Sequence, residues 1–168
     1  EPTAKPAALG SKQADVVFEL FTGKPFMEKA VPADQLRWII WADYGFNAYA
    51  HSYIANADFM KNNPEALRKF LKVSYKAWQY TLNNIPEAIS ILSKYHPINT
   101  DDFIANLTAV KEFFKTDRYK NYGIGYIDPS RMQDTINTVK EKGLAMNPDP
   151  NYYYSSEFLP SPPFKFNF

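Results

Sequence analysis

The stretch LRWIIWADYGFNAYAHSYIAN, Leu36 to Asn56, decides how the rest of the chain is read. It sets Trp38, Trp41, Tyr44, Phe46, Tyr49 and Tyr53 around one pivot, Asp43-Tyr44-Gly45. On the near side, Arg37 to Trp41 (RWIIW) is a short and nearly continuous apolar run, the pattern of a strand buried on both faces. On the far side, Tyr49 to Ile54 alternates, with Tyr49, His51 and Tyr53 on one face and Ala50, Ser52 and Ile54 on the other. Two strand-like stretches meeting at a glycine-containing pivot predict a segment that passes between two bodies, with rings on either side able to grip a flat ligand.

Working outward toward the start, Asp15 to Phe21 (DVVFELF) is dense in β-favouring residues, and Thr22-Gly23 ends it as a strand would end. Glu1 to Pro6 reads as a frayed lead-in, Ala7 to Gln13 as a short helix, and Pro25 to Ala30 as another with proline in its first turn.

Toward the end, the period changes from two to about 3.6. Asn63 is placed to cap a helix running to about Asn83, with Leu67, Phe70, Leu71, Ser74, Ala77, Trp78 and Thr81 on its stripe. A second follows Pro86, with Ile85, Ile89, Leu92 and Tyr95 aligned, and stops before His96-Pro97. Thr100 or Asp101 caps a third, with the face Phe103, Leu107, Val110 and Phe114. Asp128-Pro129 opens a fourth, with Met132, Ile136 and Val139 inward and Gly143 past its end. From Asn147 to Phe168 five prolines among aromatic residues exclude a long helix or a central strand and predict an extended strap.

Three strands followed by four helices make the expected class α/β. Three strands also make a thin sheet with exposed edges, and edges are normally paired or covered. Covering could come from an earlier part of the same polypeptide, an identical partner, or the helices.

Composition narrows the function classes. With 19 Lys+Arg against 18 Asp+Glu the net charge is +1, and no run of like charge predicts nucleic-acid binding or a membrane-surface patch. No cysteine occurs, which excludes thiol catalysis, disulfides and thiolate metal sites. No apolar run approaches the roughly 18 residues of a membrane span, and Glu1-Pro2-Thr3 carries neither the basic nor the apolar region of an export signal. Aromatic residues make up 17% of the chain, with 12 Tyr that can stack while keeping a polar hydroxyl, as a wet stacking pocket requires.

No phosphate-binding glycine loop, zinc-protease helix or serine-nucleophile elbow is present. Gly123-Ile124-Gly125 is too short to cradle phosphates and reads as a turn. His51 and His96 are far apart and form no metal cluster, so no catalytic or metal-ligating residue is expected. Glu19, within an apolar strand, needs water or partners, and could accept hydrogen bonds from ring nitrogens or an exocyclic amine. Lys24 heads a short helix and reads more simply as an exposed lysine. Tyr44, Phe46, Asn47 and Tyr49 surround the pivot in a segment with too little helical period to be a core stripe, so they read as ligand contacts.

The order GSKQADVVFELFTGKPF, then WADYGFNAYAHSYIANADFMKNNPEALRKFLKVSYKAWQYTLNNIPEAISILSKYHP, then GIGYIDPSRMQDTINTVKEKGL and SSEFLP, resembles the second half of substrate-binding proteins of the thiamine-pyrimidine, nitrate and sulfonate type. The resemblance covers about Pro6 to Pro160. It implies a type II periplasmic-binding-protein-like fold, here an incomplete two-lobed clamp with a largely helical C-terminal half. Residues 1–40 would be the remainder of the second lobe, 41–45 the hinge crossing, 46–146 the C-terminal part of the first lobe, and 147–168 a proline- and aromatic-rich tail.

It further implies an extracytoplasmic receptor that binds a small solute in an interlobe cleft and presents it to an ABC permease, with no cofactor. Phe21, Thr22, Asp43, Tyr44, Phe46 and Asn47 correspond to ligand-facing segments, with Glu19 and Tyr49 behind them. Rings without a paired basic residue favour a heteroaromatic ligand, pyrimidine-like or flavin-like, over a small oxyanion. The alternatives are an enzyme like the fungal-type synthases of the thiamine pyrimidine, which carry a cysteine-rich stretch that this chain lacks, and a helical interaction module spanning Asn63 to Gly143 with no ligand.

Overall fold

The computed structural model describes residues 4–49, 51–144 and 147–167. Residues 1–3 of the expected lead-in, Ala50 of the expected third strand, Ala145 and Met146 ahead of the tail, and Phe168 lie outside the described residues. Among the described residues eight α-helices occur in the order α1 (Lys5–Gly10), α2 (Lys24–Ala30), α3 (Ala57–Asn62), α4 (Pro64–Asn83), α5 (Ile85–Ser93), α6 (Thr100–Glu112), α7 (Asp117–Tyr122) and α8 (Pro129–Glu141). Short 3-10 turns lie at Phe21–Gly23, Ala33–Gln35, Trp41–Tyr44 and Pro150–Tyr152.

The expected strands are corrected. Among the described residues no β-ladder forms at Asp15 to Phe21, Arg37 to Trp41 or Tyr49 to Ile54. The residue preferences do set the backbone locally, with Leu20 at φ −71, ψ 139 and Ile40 at φ −85, ψ 116. A strand, however, exists only through a neighbour that takes its N–H and C=O groups. The α/β sheet expected from sequence is therefore replaced by helices joined by extended segments. Trp41 leaves the second apolar run and opens the 3-10 turn, which Gly45 closes in the left-handed region at φ 89.

The chain divides into two compact units. The first comprises Glu1–Trp38, Gln79–Thr116 and Phe166–Phe168. Here α2 packs against α1 and α6, and α5 against α6. Met27, Leu82, Ile85, Ile89 and Phe166 are buried, and the Phe166 ring meets Phe114 edge-on with centroids 4.8 Å apart. An ion pair joins Lys29 to Asp102. Asn99 caps α6, its Oδ1 accepting from the Asp102 N–H at 3.2 Å, so the cap lies one residue before the expected Thr100 or Asp101.

The second unit comprises Ile39–Trp78 and Asp117–Lys165. Its core is Leu67, Leu71 and Tyr75 of α4 with Phe158 of the tail, bordered by Ala55, Met60, Ile124, Leu159 and Phe164. The α4 stripe is rotated from the expected one: Leu67, Leu71 and Tyr75 go inward while Phe70 and Ala77 face outward. The two four-residue steps from Leu67 to Leu71 to Tyr75 follow one face of a 3.6-residue turn more narrowly than the broader set read from hydrophobicity alone. α3, which the hydrophobic pattern did not reveal, is capped by Asn56, whose Oδ1 accepts from the N–H groups of Asp58 at 2.9 Å and Phe59 at 3.1 Å. Among the described residues the tail is non-helical apart from its 3-10 turn, as its prolines predict, and it buries Phe158. Gly125 occupies φ 89 in the expected turn, and a Cβ there would strike the Tyr75 hydroxyl.

Candidate functional site

The segment Phe46 to Tyr49 is held by one side chain of α8. The Arg131 guanidinium donates from Nε to the Asn47 carbonyl at 2.7 Å and from Nη2 to the Ala48 carbonyl at 3.1 Å. The same group stacks over the Tyr49 ring, 4.3 Å from its centroid. The Tyr49 hydroxyl accepts from the Asp128 N–H at 2.8 Å. Asp128 is the N-cap of α8, its Oδ1 accepting from the Ser130 N–H at 2.8 Å, the Ser130 hydroxyl at 2.6 Å and the Arg131 N–H at 3.3 Å. Its other oxygen pairs with Arg118 Nε at 2.9 Å. The Ser130 hydroxyl first, then the backbone N–H bonds of Arg131 and Ser130 and the Arg118 charge, hold the Asp128 carboxyl below the usual carboxylate range against the opposing effect of burial.

Between this segment and α8 lies a cavity of about 220 Å³. Gly45 to Ala48 form one wall and Asp134, Thr135, Asn137 and Thr138 the other. Phe46 contributes an aromatic ring that meets Trp41 edge-on at 5.5 Å, and Tyr44 stands 78% exposed beside it. The Thr135 and Thr138 hydroxyls donate to the carbonyls of Arg131 and Asp134, each one turn back, which leaves their oxygens able to accept. The wall thus offers a carboxylate, hydroxyls and an amide opposite a ring. Nearby, Tyr122 and Tyr126 stack in parallel with centroids 4.1 Å apart. Burial, followed by Tyr122, Asp128, Tyr154 and Tyr49, pushes the Tyr126 hydroxyl above its ordinary value.

Of the residues expected to face ligand, Phe46 and Asn47 line this cavity, Tyr49 is fixed by Arg131 and Asp128 at its edge, and Asp43 and Tyr44 lie exposed in the preceding 3-10 turn. Glu19, Phe21 and Thr22 belong to the first unit. There the Glu19 carboxylate accepts from the Leu20 N–H at 2.8 Å and pairs with Lys5 at 3.3 Å. The Thr22 carbonyl accepts from Asn106 Nδ2 at 2.6 Å. Phe21 meets Trp38 edge-on at 5.2 Å and Phe113 at 5.9 Å. Lys24 pairs with Glu28 at 3.4 Å and lies over the Phe21 ring at 5.4 Å.

Arg131 and the α8 face were missed in the sequence. The signal available was an arginine in the first turn of a helix, where its charge opposes the helix dipole and so requires partners elsewhere. Its presence on Tyr49 corrects the expectation of rings without a basic neighbour. Among the described residues no group of His, Cys, Asp and Glu could hold a metal, and no helix is long and apolar enough to cross a membrane.

The family model described as NMT1/THI5 like matches residues 3–88, which takes in α1 to α4, the DVVFELF segment and the whole Leu36 to Asn56 stretch. The chain belongs to the NMT1/THI5-like family. A similar protein is the riboflavin-binding protein RibY of Chloroflexus aurantiacus, 27% identical over 120 residues. That alignment covers 68% of this chain and 34% of RibY, so the chain spans about a third of the length of the curated relative it matches. No solved structure matches. NMT1/THI5-like membership implies a periplasmic-binding-protein-like fold, while the described residues of this chain are helical and unladdered.

Proposed function

We propose that this chain supplies part of an extracytoplasmic receptor for an ABC importer, binding a flat heteroaromatic solute in the cleft of a two-lobed clamp and presenting it to a permease. In this reading residues 1–40 belong to one lobe, 41–45 are the crossing, 46–146 belong to the other, and 147–168 form the tail. The observation that carries the proposal is that the family match spans the whole ring-bearing Leu36 to Asn56 stretch, whose Phe46 and Asn47 line a cavity with polar groups opposite. The name of the similar riboflavin-binding protein supports a flavin-like ligand alongside a pyrimidine-like one.

Each ring stacked on the solute contributes about 0.5–1.5 kcal/mol beyond its burial, while Asn47, Asp134 and Asn137 orient it through hydrogen bonds. Arg131 donates to the Asn47 and Ala48 carbonyls, so it shapes the binding segment. Catalysis is not part of this reading, since the cysteine-rich stretch of the synthases is missing from a chain with no cysteine.

Thermal-shift titration of the chain with riboflavin, an aminopyrimidine, nitrate and a sulfonate tests the proposal. A ring-bearing ligand at a hundred times its Kd should add about 2.7 kcal/mol, with no shift from the oxyanions. A shift from the oxyanions alone would overturn the ligand class. No shift from any solute would favour a helical interaction module spanning Asn63 to Gly143, for which the outward Phe70 and Val73 of α4 speak.

A further inference from the structure

We infer that Trp38 is a ligand-recognition residue of the first unit, whose indole N–H selects rings that carry a hydrogen-bond acceptor. The inference rests on the solute-binding reading above and extends it to a residue outside the expected site. Trp38 Nε1 is buried and has no hydrogen-bond partner. A buried donor without an acceptor is disfavoured relative to the solvated unfolded chain, and native structures keep few of them. Such a group persists where a partner arrives later.

No acceptor of the protein reaches the indole N–H. What faces the indole is the Phe21 ring, edge-on, with Phe113 edge-on to Phe21 in turn. The cluster therefore offers aromatic surface and one unused donor. Phe21 is 38% exposed, and rotation of its side chain would uncover the indole edge. A ring bearing a carbonyl or an unprotonated ring nitrogen matches both features, as a flavin or a pyrimidine does. A bare hydrocarbon ring would stack there and leave the donor orphaned.

Trp38→Phe in the full chain separates recognition from structure, because it keeps an aromatic ring and deletes the N–H. The free variant should melt at the same temperature as the unchanged chain or higher, since an orphaned donor has gone, while its Kd for riboflavin by calorimetry should rise about tenfold. In a proton–nitrogen correlation spectrum the indole signal lost in Trp38→Phe should, in the unchanged chain, move downfield on adding riboflavin as the N–H acquires an acceptor. Equal Kd values, or an indole signal that stays in place while riboflavin binds, would overturn the role of Trp38 and leave the solute-binding reading intact. Riboflavin binding that is absent from the unchanged chain would overturn this assignment, and failure of the aminopyrimidine as well would remove the solute-binding reading with it.

Discussion

Asp128 performs two tasks with its carboxylate and a third with its backbone. It caps α8, pairs with Arg118, and through its own N–H holds the Tyr49 hydroxyl. Its carboxyl sits below the usual range, led by the Ser130 hydroxyl bond. A depressed carboxyl contributes stability above its unfolded pKa and loses that contribution as pH falls through the folded value. The melting temperature should accordingly drop on acidification below the ordinary carboxylate range, and Asp128→Asn should flatten that acid limb while lowering the plateau at neutral pH. An acid limb equally steep in the variant would exclude Asp128 as its source. The cap was legible in the sequence because Asp followed by Pro ahead of a 3.6-period stripe has one common meaning. The Arg131 contacts were not, since they join residues more than eighty positions apart and no local pattern encodes that meeting.

At the scale of elements, α8 works as a backboard for an irregular segment. Phe46 to Tyr49 has no ladder among the described residues, so its position depends on the two Arg131 bonds and the stacking on Tyr49, together with the Asp128 bond to the Tyr49 hydroxyl and the Phe46 N–H bond to the Trp41 carbonyl. Arg131→Ala should cost about 1–3 kcal/mol in urea unfolding and should speed amide hydrogen exchange in residues 46–49 more than in α4. Arg131→Lys should restore little, because a lysine cannot bridge two carbonyls with a planar fork. Uniform exchange across both regions would count against this role. Helices were largely legible, with α4, α5 and α8 starting within a residue or two of their expected positions, because proline and Asx signals act locally. Strands were not, because RWIIW and VVFELF declare only an extended preference, and a ladder depends on a distant neighbour.

For the molecule as a whole, the balance of charge is nearly even, at +1, and two separate apolar cores form, one around Leu82 and Ile89, the other around Leu67, Leu71 and Phe158. The matched relative is about three times as long as the stretch shared with this chain, so the proposed transport role belongs to the larger assembly and the binding role is what this chain can be tested for. The unladdered run after Ala14 has a practical corollary. Extended backbone is the form in which a peptide enters the cleft of a serine protease, and Phe18 is 59% exposed within it; Tyr44, in the 3-10 turn at the pivot, is 78% exposed. Brief digestion with a chymotrypsin-like protease should nick first after Phe18 or Tyr44, well before Tyr75 inside α4. Those two bonds would then mark where an engineered cut, tag or permuted terminus is best placed.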